Sequence, residues 1–373
     1  MPWNELVVLS HLRWDFVWQR PQHLISRLAV DQPTWFVEEP MVGDVEEPVL
    51  RWRRHGLVTQ VWLEVPGPHR HVDFVNPEAD CYAEMLASLI GPSERRAVWL
   101  YTPMALELAE ALEPSFVIYD VMDDLASFKN APAALRAGQD QLLDVADVVF
   151  AGGRSLHQGV IGRRPDAHLF PSGVETEHFA PARSRRVPRG RPVAGYVGVI
   201  DERLDLDLLA GVAAELHDWD IDVVGPVAKI DAGSLPVAPN LSYPGSRQYA
   251  ELPDVMAGFD VAIMPFALND ATRSISPTKT LEYLAAGLPV VSTPVPDVVS
   301  DFFDVVALAE SSKGFARACQ KAILEECAER DRAAWPVLQR QHWDAVATRM
   351  ASILRSSTIV VAIADLAGAE DSA

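Results

Sequence analysis

A lysine stands where local stability favours a carboxylate. In SPTKTLEYLAAGLPVV, residues 276–291, Ser276 has the type of a helix cap and Pro277 that of a first helical residue. Leu281, Leu284, Ala285 and Leu288 form one apolar stripe, and Gly287 and Pro289 stop the helix before Val290-Val291 begins a strand. A capping box would place Glu or Gln three residues after Ser276; the chain has Lys279. A cation in the first turn opposes the helix dipole unless an anion sits there. The free N–H groups of such a helix start suit a phosphate, which turns the lysine from a penalty into a ligand. Arg273 precedes the same helix as a second cation, and Glu282, one turn inside, has the chemistry to hold a vicinal diol such as a ribose. The plainer reading of Lys279 and Glu282 is an i,i+3 surface pair worth ~0.2–0.5 kcal/mol. "WQRPQHL" repeats the device near the N-terminus, with Arg20 at the entry of a helix that starts at Pro21. Two helix starts, each with a cation, suit a diphosphate.

The elements that position these residues alternate. Leu6–Ser10, Thr34–Val37, Ala97–Tyr101, Phe116–Tyr119 and Val148–Phe150 are short apolar runs separated by helix-like stretches, with a hairpin over 49–65 turning at His55-Gly56. ARSRRVPRGRP, residues 182–192, has five arginines and no apolar run, and reads as an interdomain linker. The alternation then restarts at Val193–Val199. The expected fold is α/β: two Rossmann-like halves, with ligand at the carboxyl ends of the strands in a cleft between them. The expected domains are 1–188, 189–339, and a C-terminal segment 340–373 whose helix crosses back to the first domain.

The 373 residues carry 32 basic and 52 acidic side chains, a net charge of -20. That excludes generic nucleic-acid binding and wholesale attraction to anionic membrane. Cys81, Cys319 and Cys327 lack metal spacing and read as reduced thiols. The first residues do not resemble a signal peptide, and no apolar run approaches ~18 residues, so a cytoplasmic protein is expected, at most in peripheral contact with the inner membrane face. The basic run "RWRRH", 51–55, reads as a solvated hairpin face.

The run "SYPGSRQYAELPDVMAGFDVAIMPF", preceded by Gly225-Pro226 and followed by "SPTKTLEYLAAGLPVVSTPVPDVV", resembles the donor half of retaining GT-B-fold glycosyltransferases grouped as family 4. "HLRWDFVWQRPQHLISRLA", "YDVMDDLASF" and "PSGVETEHF" resemble the acceptor half, in particular that of bacterial teichuronic-acid-type enzymes that build surface polysaccharide. The resemblance implies a UDP- or GDP-sugar as donor, a glycan or lipid-linked acceptor, retention of configuration and no metal or other cofactor. It places Glu282 on the second Glu of the family's E-x7-E motif, which holds the ribose, while the first falls on Ser274. Gly198 matches the glycine after the first strand of the donor half, with Arg203 in place of the family's nearby basic residues. Gly225, Ser276, Thr278 and Lys279 are implied in donor and diphosphate binding. On the acceptor side it implicates His11, Trp14 and Arg20, with Asp120 and Asp123 as candidates to orient the acceptor. Lys279 and Arg273 would neutralise the leaving diphosphate.

Asp205-Leu206-Asp207 has the DxD pattern of metal-dependent transferases, but it lies where a helix start expects acids. His23 and His178 read as packing residues, and Trp343 as packing of the last helix. Two other classes share the architecture: a sugar-nucleotide 2-epimerase, and a non-catalytic binding protein with a degenerate site, suggested by Ser274.

Overall fold

The computed structural model describes residues 3–68, 71–125, 134–186 and 189–370. The chain divides into two compact units, one of residues 1–170 with 346–373, the other of residues 171–345.

The first unit is built on β1 (Glu5–Ser10), β2 (Thr34–Glu38), β3 (Met41–Val42), β4 (Val49–His55), β5 (Val58–Val65), β6 (Arg96–Leu100), β7 (Phe116–Val121), β8 (Val148–Ala151) and β9 (His168–Leu169). Their order is β3-β5-β2-β1-β6-β7-β8-β9, with β4 on β5. All pairs are parallel except the β4–β5 hairpin. Gly56, at φ +60, occupies its turn with Leu57, one residue later than the sequence suggests. Every residue of β1 and β6 is buried, which explains their unbroken apolar runs: helices cover both faces of a parallel sheet.

The second unit carries β10 (Val193–Val197), β11 (Asp220–Val224), β12 (Leu241–Gly245), β13 (Val261–Met264), β14 (Val290–Ser292) and β15 (Ala307–Leu308), all parallel, in the order β12-β11-β10-β13-β14-β15. Strand order reverses between β1 and β6 in one sheet and between β10 and β13 in the other. Ligands of open α/β sheets bind outside the strand carboxyl ends at such reversals.

The unit boundary falls at 170/171, not at 188/189. Val174, Phe179 and Ala182 are buried in the core of the second unit, so the chain has joined that unit well before the arginine run. The run itself is a strap on this unit rather than a linker. Arg183 donates to the carbonyls of Leu284 and Ala285 and pairs with Asp331, while Arg185 pairs with Asp254 and Arg189 with Asp222. The last helix, Trp343–Glu370, passes from the second unit to the first at residue 346 rather than 340. Trp343 is buried as expected, and a Cβ on Gly173 would lie 2.9 Å from its ring.

Candidate functional site

The helix that carries Lys279 runs over Thr278–Ala285, so Ser276 is not its cap. Pro277 occupies the cap position with no side-chain bond. The Thr278 N–H reaches back to the Ser276 carbonyl (2.9 Å) and the Thr280 N–H to that of Pro277 (3.0 Å). Lys279 is therefore the second residue of the first turn, and Glu282 lies one turn further. Tyr283 ties this helix to β10: its hydroxyl accepts from the Val197 N–H at 2.8 Å and donates to the Val197 carbonyl at 3.3 Å. Both groups are buried, which makes the joint stiff.

One residue beyond Val197, Gly198 clears the path of the lysine. A Cβ there would lie 2.2 Å from Lys279 Cε and 2.6 Å from Nζ. Gly225, after β11, packs against Gly198 in turn, and a Cβ on it would lie 1.8 Å from the Gly198 carbonyl oxygen. Lys279 Nζ also stands 6.0 Å from the centroid of Tyr196. Arg203 is held by a fork on Asp201, with Nε to Oδ1 at 2.9 Å and Nη2 to Oδ2 at 2.7 Å. Burial pushes the Lys279 ammonium below its ordinary range, with Glu282 opposing and Arg203 adding to the shift. Burial likewise pushes the Glu282 carboxyl up, with Lys279 opposing. A half-buried cation and a half-buried acid, each short of water, thus sit on one helical turn above two glycines.

Gly198, Gly225, Lys279, Arg203 and Glu282 are brought together as the sequence suggests. Arg273 is separate: it ends the short helix Asp270–Arg273, is exposed, and pairs with Asp270 at 2.8 Å. Ser274, Ser276 and Thr278 are half-buried along the segment that leads to Lys279. Sequence reading missed Tyr196, Asp201 and Tyr283. Asp201 alone left a signal, as an acid two residues from Arg203.

In the first unit the expected phosphate device is corrected. Arg20 begins the helix Arg20–Leu28, but its guanidinium is buried against Asp120, with Nε to Oδ2 and Nη2 to Oδ1 both at 2.9 Å. Its Nη1 donates to the Phe170 carbonyl at 2.7 Å. Arg20 and Asp120 are thus engaged with each other in the interior of the first unit rather than held open to a phosphate or an acceptor. Trp14 is also corrected. It is buried, with its ring edge-on to Phe36 at 4.9 Å, while Phe16 and Trp18 of the same loop are exposed. His11 lies half-buried on that loop, and Asp123 half-buried two residues past β7. His23 accepts from Trp18 Nε1 at 3.0 Å, and His178 stacks on Tyr249 at 4.1 Å, both packing roles. Asp205 caps a helix by accepting from the Leu208 N–H at 2.8 Å, the role its position in a helix start implies. Among the described residues no helix is long and apolar enough to cross a membrane.

Two parallel sheets with these reversal points define the fold of GT-B glycosyltransferases. Similar solved structures include sucrose-phosphate synthase from Thermosynechococcus elongatus, with a TM-score of 0.72 at 14% identity over 96% of this chain and 100% of that one. Another is an E. coli trehalose-6-phosphate protein bound with UDP-2-fluoro glucose, with a TM-score of 0.68 at 13% identity over 94% and 98%. Residues 191–325, all within the second unit, match the family model described as Glycosyl transferases group 1. The chain is 29% identical over 226 residues to a putative teichuronic acid biosynthesis glycosyltransferase of Bacillus subtilis (strain 168), covering 54% of this chain and 56% of that protein. It is 28% identical over 191 residues to a GDP-mannose-dependent alpha-mannosyltransferase of Mycobacterium tuberculosis (strain CDC 1551 / Oshkosh), covering 48% of each. The chain thus spans about half the length of the curated relatives it matches.

Proposed function

We propose that the protein is a retaining, metal-independent glycosyltransferase of the family 4 type, acting on the cytoplasmic side of the membrane. It moves a sugar from a UDP- or GDP-sugar to a glycan or lipid-linked acceptor in surface polysaccharide synthesis. The observation that carries this reading is the half-buried Lys279 and Glu282 on one turn of a helix pinned to β10. An arriving diphosphate adds negative charge beside the desolvated lysine, and the first-turn N–H groups share its oxygens. Glu282 accepts from the two ribose hydroxyls. The bond from the sugar's anomeric carbon to the leaving phosphate oxygen breaks as the bond from the acceptor oxygen forms on the same face, and the acceptor proton passes to the leaving phosphate. Lys279, with Arg203 behind it, stabilises the charge that develops on the diphosphate.

The Bacillus relative's name supports a surface-polymer role, and the GDP-mannose of the second relative and the UDP of the E. coli structure leave both bases in play. The test is calorimetric titration with UDP, GDP and their sugar conjugates, with magnesium and with EDTA. Binding of one diphosphate, indifferent to EDTA, is expected; binding of none removes the transferase reading.

A further inference from the structure

The helix Thr278–Ala285 carries Lys279 in its first turn and ends on a cluster of arginines. Its last carbonyls are already served: Arg183 donates to Leu284 and Ala285 at 3.1 Å each and pairs with Asp331. Two further guanidiniums then converge on a single oxygen. Arg186 Nη2 donates to the Gly287 carbonyl at 3.1 Å, and Arg330 Nη2 to the same carbonyl at 3.0 Å. Arg330 Nη2 also reaches the Cys327 sulfur at 3.4 Å. Arg183, Arg185 and Arg189 each have an acid, but among the described residues no ion pair joins Arg186 or Arg330 to a carboxylate. The Nε of both is closed off from solvent with no acceptor, and Nη1 of both is unspent on the protein.

One carbonyl at a helix end that carries about half a negative charge does not balance two cations. Burial, and after it Arg330, pushes the Arg186 guanidinium below its ordinary value. Asp260, the acid that acts on Arg186, already accepts the Val193 N–H at 2.8 Å. A second element adds to the positive field. The helix Cys327–Arg340 starts here, and its cap residue Glu326 makes no side-chain bond to the first-turn N–H groups. Two guanidinium forks beside an uncapped helix start are the complement of a tetrahedral dianion. A single carboxylate would leave one of the two charges unbalanced. At a rise of about 1.5 Å per residue, this cluster lies about 12 Å along the helix from Lys279, so it is not the seat of that lysine's anion.

We propose that Arg186, Arg330 and the start of the helix Cys327–Arg340 form a second anion site, which takes a phosphate group, free or as the monoester of a small metabolite. The site does not depend on the transferase reading.

The test is calorimetric titration of the Lys279→Ala protein, whose first-turn cation is gone, with sodium phosphate and with glucose 6-phosphate at constant ionic strength. One phosphate group per chain should bind, and the tighter of the two probes tells free phosphate from an ester. Arg186→Gln or Arg330→Gln, added to that protein, should each lower the affinity about tenfold or more, the scale of a lost hydrogen bond to a charged group. In the wild type the same probe should slow iodoacetamide labelling of the exposed Cys327 several-fold, read by peptide mass spectrometry. This second measurement decides the matter should the variants not fold. Binding of neither probe at millimolar concentration overturns the proposal, as does undiminished binding by the glutamine variants. So does labelling of Cys327 that phosphate leaves unchanged, which would put any bound phosphate elsewhere.

Discussion

Lys279 lies across Gly198 so closely that a Cβ at residue 198 would fall 2.2 Å from its Cε. The two residues are far apart in sequence, and the contact exists because Tyr283 holds their elements together. Gly198→Ala should push the ammonium off its seat and cost some stability as well, because residue 198 holds φ +157, which L side chains rarely adopt, and its Cβ would also meet the Tyr196 hydroxyl at 2.7 Å. An approximately tenfold loss of turnover, about 1.4 kcal/mol, is expected in steady-state assays. Wild-type turnover would show that the seat of the lysine is immaterial.

Gly225→Ala should behave differently. Its Cβ would meet the Gly198 carbonyl oxygen at 1.8 Å, a backbone atom that cannot rotate away. Stability rather than turnover should suffer, by about 1–3 kcal/mol as for overpacked interiors. Denaturant titration of the two alanine variants separates these outcomes.

Lys279 and Glu282 share a helical turn but not a role. Lys279→Ala should lower turnover about 10²–10³-fold, the scale of a lost group that stabilises developing charge, with a smaller change in nucleotide affinity. Glu282→Ala should mainly weaken nucleotide binding, by about 1.5–3 kcal/mol, as expected for hydrogen bonds to a charged group. Calorimetry beside single-turnover rates reads the two effects apart. Both variants binding and turning over like wild type would mean that the site is elsewhere.

What sequence made legible here was local. Buried parallel strands leave unbroken apolar runs, and a lysine in a first helical turn conflicts with the dipole, so both show in the letters. The partners of a charge do not. Arg20 and Lys279 look alike as cations at helix starts, yet Arg20 meets Asp120, a hundred positions away, and is neutralised inside the protein. The arginines of the strap failed as a linker for the same reason, because the carbonyls of Leu284 and Ala285 that receive Arg183 carry no sequence signal. Glu38 and Glu39 are adjacent and identical, and only the fold gives one of them Trp14, Gln60 and Arg13.

The Arg20–Asp120 pair yields a prediction opposite to that for Lys279. Both side chains are buried, so removing one leaves an uncompensated charge in the interior. Asp120→Ala should cost about 3–5 kcal/mol of stability. Nucleotide affinity of the protein that still folds should be unchanged. Thermal melts and calorimetry together test this, and a stable variant that had lost nucleotide binding would restore Arg20 to the phosphate site.

Glu39 should make stability fall as the solution turns alkaline. Burial raises its folded-state value from the ordinary 4.5 to about 8, so folding favours the protonated acid. The stability it contributes is fully present below about pH 4.5 and is lost progressively as pH rises through about 8. Each unit of difference corresponds to about 1.4 kcal/mol, so a loss of about 2–5 kcal/mol across that window is the expected scale. Glu39→Gln keeps the size and a hydrogen-bonding head but cannot ionise, and this contribution disappears. Its melting temperature should match wild type near pH 5 and exceed it by several degrees near pH 8.5. Circular-dichroism melts at the two pH values check the sign, and parallel curves for the two proteins would mean that Glu39 ionises freely in the folded state.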